Sequence, residues 1–245
     1  MKEIRYFYAP DAATSTELPG DEAAHVLRVL RMGIGDEFFL VDGRGNFYRA
    51  TITLATGHRC AYRIEEVIPQ KPAWQGHLHL AMAPTKLMDR VEWFAEKATE
   101  IGFDELTFLD CRFSERRMVK EERIDKILVS AMKQSHKAMK PRLNGMRRFR
   151  DFVAEEREGD KFICHCYSED SGIEAWGQWE KPLLFDVLRP GVPSTVLIGP
   201  EGDFCVDEVR FAMQHGYRSV SLGGSRLRTE TAALVAVHMM QLRNM

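Results

Sequence analysis

A small β-barrel followed by an α/β domain with a mainly parallel sheet is the fold class that these 245 residues predict. Three observations carry it. Short alternating or aromatic-rich runs separated by glycine-containing turns fill the first 70 residues. From Gly76 onward, strand-like and helix-like stretches alternate. Pro69 and Pro72 break any regular element between the two patterns. Domains are therefore expected at 1–70 and 71–245.

In the first part, FFLVDG (38–43), FYRATIT (47–53) and AYRIEEVI (61–68) read as strands. Asp21 to Arg31 reads as a helix with Ala24, Leu27, Val29 and Leu30 on or near one face, ending at Gly33. In the second part, HLHLAMA (77–83), LTFLD (106–110), KFICHCY (161–167), TVLI (195–198) and RSVSL (218–222) read as strands. Helices are expected at Asp89–Glu100, Glu121–Met139 and Val206–His215, closed by Gly102, Pro141 and Gly216. The last stretch, Thr229 to Met245, is apolar on nearly every side, which predicts a buried helix. Burial against a second subunit would also keep this C-terminal element from fraying.

Composition narrows the class. Hydrophobic residues at 44% and charged residues at 29% suit a globular protein with a sizeable core. No run of 18 apolar residues occurs, and the opening MKEIRYFYAPDAA is too polar for a secretory leader, so neither a membrane partner nor export is expected and the location is taken as cytoplasmic. The five cysteines, at 60, 111, 164, 166 and 205, are odd in number and scattered, unlike a disulfide framework. Cys164-His165-Cys166 has no second ligand pair nearby, so buried reduced thiols are expected there and no metal. The net charge of −2 conceals a basic segment: residues 112–150 carry 13 Lys/Arg against 4 Asp/Glu. Such a segment is either a solvated helix face or a surface for a polyanion such as nucleic acid.

Two loops stand out. In LIGPEGDF (197–204) a hydrophobic run stops at Gly199-Pro200-Glu201-Gly202, between a strand and a helix, where open α/β sheets bind ligands. Glycine there lets backbone approach a ligand closely, and Pro200 stiffens the turn. In LGGSRLRTETAA (222–233), Gly223-Gly224 permits a tight turn, Arg226 and Arg228 place cations before a helix, and Thr229 is an N-cap candidate with Glu230 in the first turn. No G-x-G-x-x-G follows the first strand of this part, and P-loop, nucleophile-elbow and His-Glu-x-x-His motifs are missing. A glycine-rich pocket with few charges suits an uncharged or zwitterionic nucleoside such as S-adenosylmethionine.

IGPEG (198–202) followed by LRTETA (227–232) resembles the RsmE family of SPOUT-class RNA methyltransferases, which methylate N3 of a uridine in small-subunit ribosomal RNA. The match extends along the chain: His25–Arg31, Gly35-Asp36 and Asp42-Gly43 resemble the family's N-terminal PUA-like RNA-binding domain. Glu96–Gly102 and Gln134-Ser135 with Pro141 resemble two of its helix ends. The resemblance implies a SPOUT-type, trefoil-knotted Rossmann-like domain after a PUA-like β-barrel, a homodimer built through the knotted domain, and S-adenosylmethionine held in the knot. Gly199, Pro200, Glu201 and Gly202 would form one wall of that site, and Leu222, Gly223, Leu227, Arg228 and Thr229 the other. By the same resemblance Arg228 is the candidate for stabilising a uridine anion, Arg226 a second candidate, and Glu201 a base or, by preference, an organiser of its loop.

The sequence departs from the family pattern in places. Asp203 stands where a second glycine is usual, and Cys205 replaces a helix-capping serine with Glu208 retained, which predicts a weaker cap. LGGSRL displaces the first arginine of its loop to Arg226, and Lys133 takes a usually acidic place while Lys137 replaces an arginine. For RNA, the expected contacts are Arg5, Arg28, Arg31, Arg116, Lys133, Lys137 and Arg142, with 16S rRNA, presented in the assembled 30S subunit, as the partner. Two other functions fit the same residues: methylation of a tRNA base or ribose 2′-hydroxyl, and a non-catalytic role in binding RNA during ribosome assembly.

Overall fold

The computed structural model describes residues 5–167 and 181–245, which form two compact units. One unit comprises the residues up to Pro72 together with 128–140; the other comprises 73–127 and 141–245.

The first unit is a four-stranded sheet among the described residues, in the order β1 (Tyr6–Tyr8), β2 (Glu37–Val41), β3 (Asn46–Thr56), β4 (Arg59–Pro69). β1 and β2 are parallel and the remaining pairs antiparallel. Alternating burial along β2 and β3 puts Phe38, Leu40, Tyr48, Ala50 and Ile52 into a core with Phe7, Val26 and Tyr62. The tight β2–β3 turn, with Gly43 and Gly45 at positive φ, is held by buried Asp42, which accepts bonds from the backbone of Arg44 and Asn46 and from the Tyr48 hydroxyl. Burial alone would raise the Asp42 pKa, yet these donors bring it below the ordinary value.

The helix expected over Asp21–Arg31 takes a different form. α1 (Gly20–Ala24) runs into a five-residue π-helical turn, His25–Val29, in which Leu30 N–H bonds to His25 O. The widened turn changes the facing residues: Ala23 and Val26 point inward, and Val29 is 68% exposed.

The second unit is a fully parallel sheet of six strands among the described residues, ordered β10-β8-β9-β5-β6-β7. The strands are β5 (Leu78–Met82), β6 (Glu105–Asp110), β7 (Arg142–Arg148), β8 (Asp160–Cys164), β9 (Ser194–Ile198) and β10 (Arg218–Val220). β5 and β9 are buried at every position, as central strands covered on both faces must be. The helices are α2 (Met88–Ile101), α4 (Phe149–Ala154), α5 (Leu184–Val187), α6 (Val206–Gln214) and α7 (Thr229–Asn244), together with the start of α3 (Glu121–Gln134), whose residues from Leu128 on fall in the first unit.

α2 ends as expected: Gly102 N–H bonds to Ala98 O at φ +117, where a β-carbon would fall 2.5 Å from the Trp74 ring. α3 ends at Gln134, not Met139. His136 adopts φ +54 and Lys137 N–H returns to Met132 O, closing the helix five residues before the expected end and well ahead of Pro141. Edge strand β7 has no sequence signature, because RLNGMRR is polar and only partly buried. β8 stops at Cys164 because Cys166 N–H bonds to a side chain, Asp203, in place of a neighbouring strand. α7 is buried along one stripe only, Thr229, Glu230, Ala233, Ala236, Val237, Met240, Gln241 and Asn244, while Leu242 and Met245 are exposed.

At the N-terminal edge of the sheet, three neighbouring strands share a polar network. Glu105 accepts from Arg142 and Asn144 and pairs with His77, while His79 and Asn144 both bond the Thr107 hydroxyl at 2.8 Å. Burial opposes the charged form of Glu105, but its donors outweigh that and lower its pKa to about 2. His79 is buried and is held neutral, its pKa lowered to about 4.

Candidate active site

A pocket of about 1150 Å³ opens at the opposite, C-terminal edge of this sheet. Five loops line it, following β5, β6, β8, β9 and β10, the arrangement that places ligands on open α/β sheets.

The loop after β9 is the most constrained. A β-carbon on Gly199 would stand 3.0 Å from the Phe204 nitrogen, so glycine lets the chain fold back here without displacing its neighbour. Asp203 N–H closes a turn onto Pro200 O. Asp203 itself sits at φ +65, a conformation that glycine takes freely and that aspartate tolerates better than most residues. Its carboxylate accepts from Phe204 N–H at 2.8 Å and from Cys166 N–H at 2.7 Å, tying this loop to the one after β8. The departure from a second glycine thus has a structural explanation. Glu201 is exposed, and its Oε1 accepts the Lys86 N–H at 2.8 Å, tying the same loop to the one after β5.

The cap of α6 is intact despite Cys205. Glu208 accepts the Cys205 N–H at 2.9 Å through one oxygen and the Arg112 N–H at 2.8 Å through the other. The expected weakening is offset by this second, distant donor.

The other walls are built similarly. Arg116 donates to the carbonyls of Thr85 and Lys86, holding the loop after β5 from behind. Half-buried Lys181 donates to the carbonyls of His165 and Tyr167, and burial lowers its pKa. His165 bonds Ser219, and burial lowers its pKa to about 3. The N-cap of α7 is Arg228, not Thr229: Thr229 is the first helical residue and is buried. Glu230 does not sit free in the first turn, because it forms a buried ion pair with Arg90 of α2.

The four carboxylates among the described lining residues are therefore all engaged. Glu115 pairs with Lys86, Glu201 and Asp203 hold backbone N–H groups, and Glu230 pairs with Arg90. Arg226 and Arg228 are exposed in the pocket and have no acceptor among the described residues. Such a site can stabilise negative charge that develops on a bound molecule, and among the described lining residues no carboxylate is left unengaged.

Comparison with known proteins now fixes the family. Residues 72–241 match the model of an RNA methyltransferase domain, and residues 18–65 match that of an RNA methyltransferase PUA domain. This chain belongs to the RNA methyltransferase family. The structure of a probable rRNA-methyltransferase from Porphyromonas gingivalis is 40% identical, with a TM-score of 0.88 over 98% of this chain and 99% of that one. A ribosomal RNA small subunit methyltransferase E from Neisseria gonorrhoeae, solved bound to S-adenosyl methionine, is 25% identical, with a TM-score of 0.82 and 98% of each chain covered. The protein of the same name from Rickettsia conorii is 27% identical over 92% of this chain and 89% of its own.

For this RNA methyltransferase, all the residues singled out in the two loops line one pocket: Gly199, Pro200, Glu201 and Gly202 on one side, Leu222, Gly223, Arg226, Leu227, Arg228 and Thr229 on the other. Sequence reasoning missed Lys86, Arg90, Lys181 and the 164–167 wall. Cys164 and Cys166 were expected to be buried, but Cys164 is half-buried, Cys166 is exposed, and both line the pocket. Among the described residues no group of His, Cys, Asp and Glu is placed to hold a metal ion, and no helix is long and apolar enough to cross a membrane.

The residues expected to contact RNA are divided between the two units. Arg5, Arg28, Arg31, Lys133 and Lys137 fall in the first unit, where Arg28 lies against His58 and Lys133 forms a largely buried ion pair with Glu22. Arg116 and Arg142 fall in the second unit, Arg116 bound to the pocket loop and Arg142 to Glu105 at the far edge of the sheet.

Proposed function

We propose that this chain is an S-adenosylmethionine-dependent methyltransferase that methylates N3 of a uridine in 16S rRNA, presented in the small ribosomal subunit. The reading rests above all on one observation: a pocket at the C-terminal edge of a parallel sheet in which, among the described lining residues, the carboxylates are all engaged and the arginines at 226 and 228 are not. The cofactor fits what the walls offer. Gly202, Gly223 and Gly224 are exposed, and nothing lies within 4 Å of a β-carbon built on Gly223 or Gly224. Gly199 to Gly202 and Leu222 to Thr229 would hold it, and when bound it supplies a methyl group already activated by a sulfonium leaving group.

The chain's own residues then have two tasks. The first is to place N3 in line with the methyl group, for which rigid loops can supply about 7–11 kcal/mol in favourable cases. Glu201, Asp203, Arg116 and Lys181 stiffen those loops through backbone bonds. The second is to let the N3 proton leave, since uridine N3–H has a pKa well above neutrality. Arg228, assisted by Arg226, stabilises negative charge on O2 or O4 as that proton departs to water. Glu201 is assigned an organising role, because its Oε1 is occupied by the Lys86 N–H.

We extend the reading to the whole chain. The N-terminal domain, residues 1–70, binds RNA through Arg5, Arg28 and Arg31, and Lys133 and Lys137, which fall in the same compact unit, extend that surface. Residues 71–245 form the trefoil-knotted catalytic domain, and two copies pair through the outward apolar residues of α7, including exposed Leu242 and Met245. The enzyme acts in the cytoplasm. The test is to delete the gene and map small-subunit rRNA by reverse transcription. N3-methylation blocks Watson–Crick pairing, so one strong stop disappears in the deletion strain and returns on complementation. Survival of every stop refutes the substrate, and lack of S-adenosylmethionine binding by calorimetry refutes the enzyme.

A further inference from the structure

Beside the pocket, the same edge of the sheet carries a ledge that no residue assigned above explains. The chain leaving β6 runs against the 199–203 loop, and the Phe113 β-carbon lies 3.2 Å from where one on Gly202 would sit. Phe113 nevertheless leaves 46% of its surface in water, and Met118 leaves 80%. Around these apolar groups, residues 112–118 and 147–150 together hold six arginines and one glutamate. A cleft of about 390 Å³ separates the two segments, bordered by Arg112, Arg117, Arg148 and Arg150.

The carboxylates lining this cleft are mostly committed. Glu208 holds the Cys205 and Arg112 N–H groups, Asp110 pairs with Arg117, and Asp207 lies 3.8 Å from Arg210. Asp151 sits in the first turn of α4, facing the positive end of that helix. Arg150 stacks 4.5 Å over Phe211. The guanidinium groups of Arg112 and Arg148 have no acceptor among the described residues.

An exposed aromatic flanked by unengaged arginines is how proteins grip single-stranded nucleic acid: bases stack on the ring and phosphates meet the cations. We propose that this ledge binds the single-stranded RNA next to the nucleotide being modified, with Phe113 stacking on a neighbouring base and Arg112 and Arg148 holding phosphates. The position follows from the shared wall: a strand whose base enters the pocket past Gly202 must cross Phe113. The inference rests on the pocket being the methyl-donor site, but its test does not.

The full chain is titrated with an unmodified small-subunit rRNA transcript and with poly(U) at several salt concentrations, and with S-adenosylmethionine by calorimetry. Phe113→Ala is expected to weaken both RNAs by roughly fivefold to a hundredfold and leave cofactor affinity unchanged, because alanine keeps the β-carbon against Gly202. Phe113→Tyr restores binding. Arg148→Ala is expected to reduce the slope of log affinity against log salt by about one. Unchanged affinity for both RNAs in Phe113→Ala overturns the proposal, and so does a Phe113→Ala chain that changes oligomeric state with RNA affinity intact, which would make the ledge a contact between copies. Failure of the wild type to bind S-adenosylmethionine would instead refute the pocket reading, with the RNA titrations still deciding the ledge.

Discussion

The two edges of the parallel sheet both gather charged and polar side chains and use them in opposite ways. At the N-terminal edge, Glu105, Arg142, Asn144, Thr107 and the histidines at 77 and 79 satisfy one another. At the C-terminal edge, carboxylates and cations are spent on backbone groups of the loops, and Arg226 and Arg228 are left over. A closed network stabilises the fold and has nothing to offer a ligand. An open one fixes the loops and keeps charge available. The difference separates a structural cluster from a site better than the number of titratable groups does.

Mutations can break this contrast from either side. Glu105→Ala should have the largest effect, because it leaves Arg142, Asn144 and His77 without their shared acceptor. A loss of roughly 1–3 kcal/mol in urea unfolding is expected, with turnover per folded molecule unchanged. A fall in turnover at constant stability would show that this edge is part of the site. On the other side, Arg228→Ala should lower kcat by about a hundredfold or more while leaving cofactor affinity and stability near wild type. Equal losses in turnover and cofactor affinity would reduce Arg228 to a wall of the pocket.

Acidity provides an intermediate test. His79 and His165 stay neutral in the folded chain to about pH 4 and about pH 3, whereas the unfolded chain protonates them near 6.5. The unfolded state therefore takes up protons first, and stability declines as pH falls below 6.5. Each histidine should contribute roughly 2 kcal/mol of decline between about pH 7.5 and pH 5, so His79→Gln should remove about half of it. The raised pKa of His77 acts in the opposite sense, and Glu105 adds its own loss only below about pH 4, towards 2. An undiminished decline in His79→Gln would mean that this histidine is protonated within the fold.

The smallest effects concern the loop itself. Glu201→Gln keeps an oxygen for the Lys86 N–H and should change kcat less than about threefold, whereas loss of a true general base costs about 10²–10⁴-fold. Asp203→Gly should adopt the same φ without strain and lose only the bonds to Cys166 and Phe204, about 1 kcal/mol.

Much of this was legible in the sequence. Strands buried on both faces, such as LHLAM and STVLI, announce themselves through continuous apolar runs, and both pocket loops were marked by glycine. What could not be read follows a common cause. Edge strand β7 is polar because it is half solvated, and the early end of α3 depends on His136 accepting a left-handed conformation that its identity does not advertise. Lys181 and Arg90 reach the pocket through contacts with residues 16 and 140 positions away, which no local pattern encodes. The arginines at 116 and 142 show what charge alone does not reveal: each is also bound to the protein's own acceptors.

The strand order has a consequence for synthesis. β5 pairs with β9, so the loop ending at Lys86 meets its partner Glu201 only across 115 residues, and Arg90 meets Glu230 across 140. A ribosome that has released this chain only as far as β8 has delivered two of the five pocket loops, those after β5 and β6, and neither of these ties. Long-range closures of this kind come late and slowly. The nascent protein therefore passes most of its production time unable to hold a small molecule at this edge, and any protection that a bound ligand gives against unfolding is available only to the finished chain.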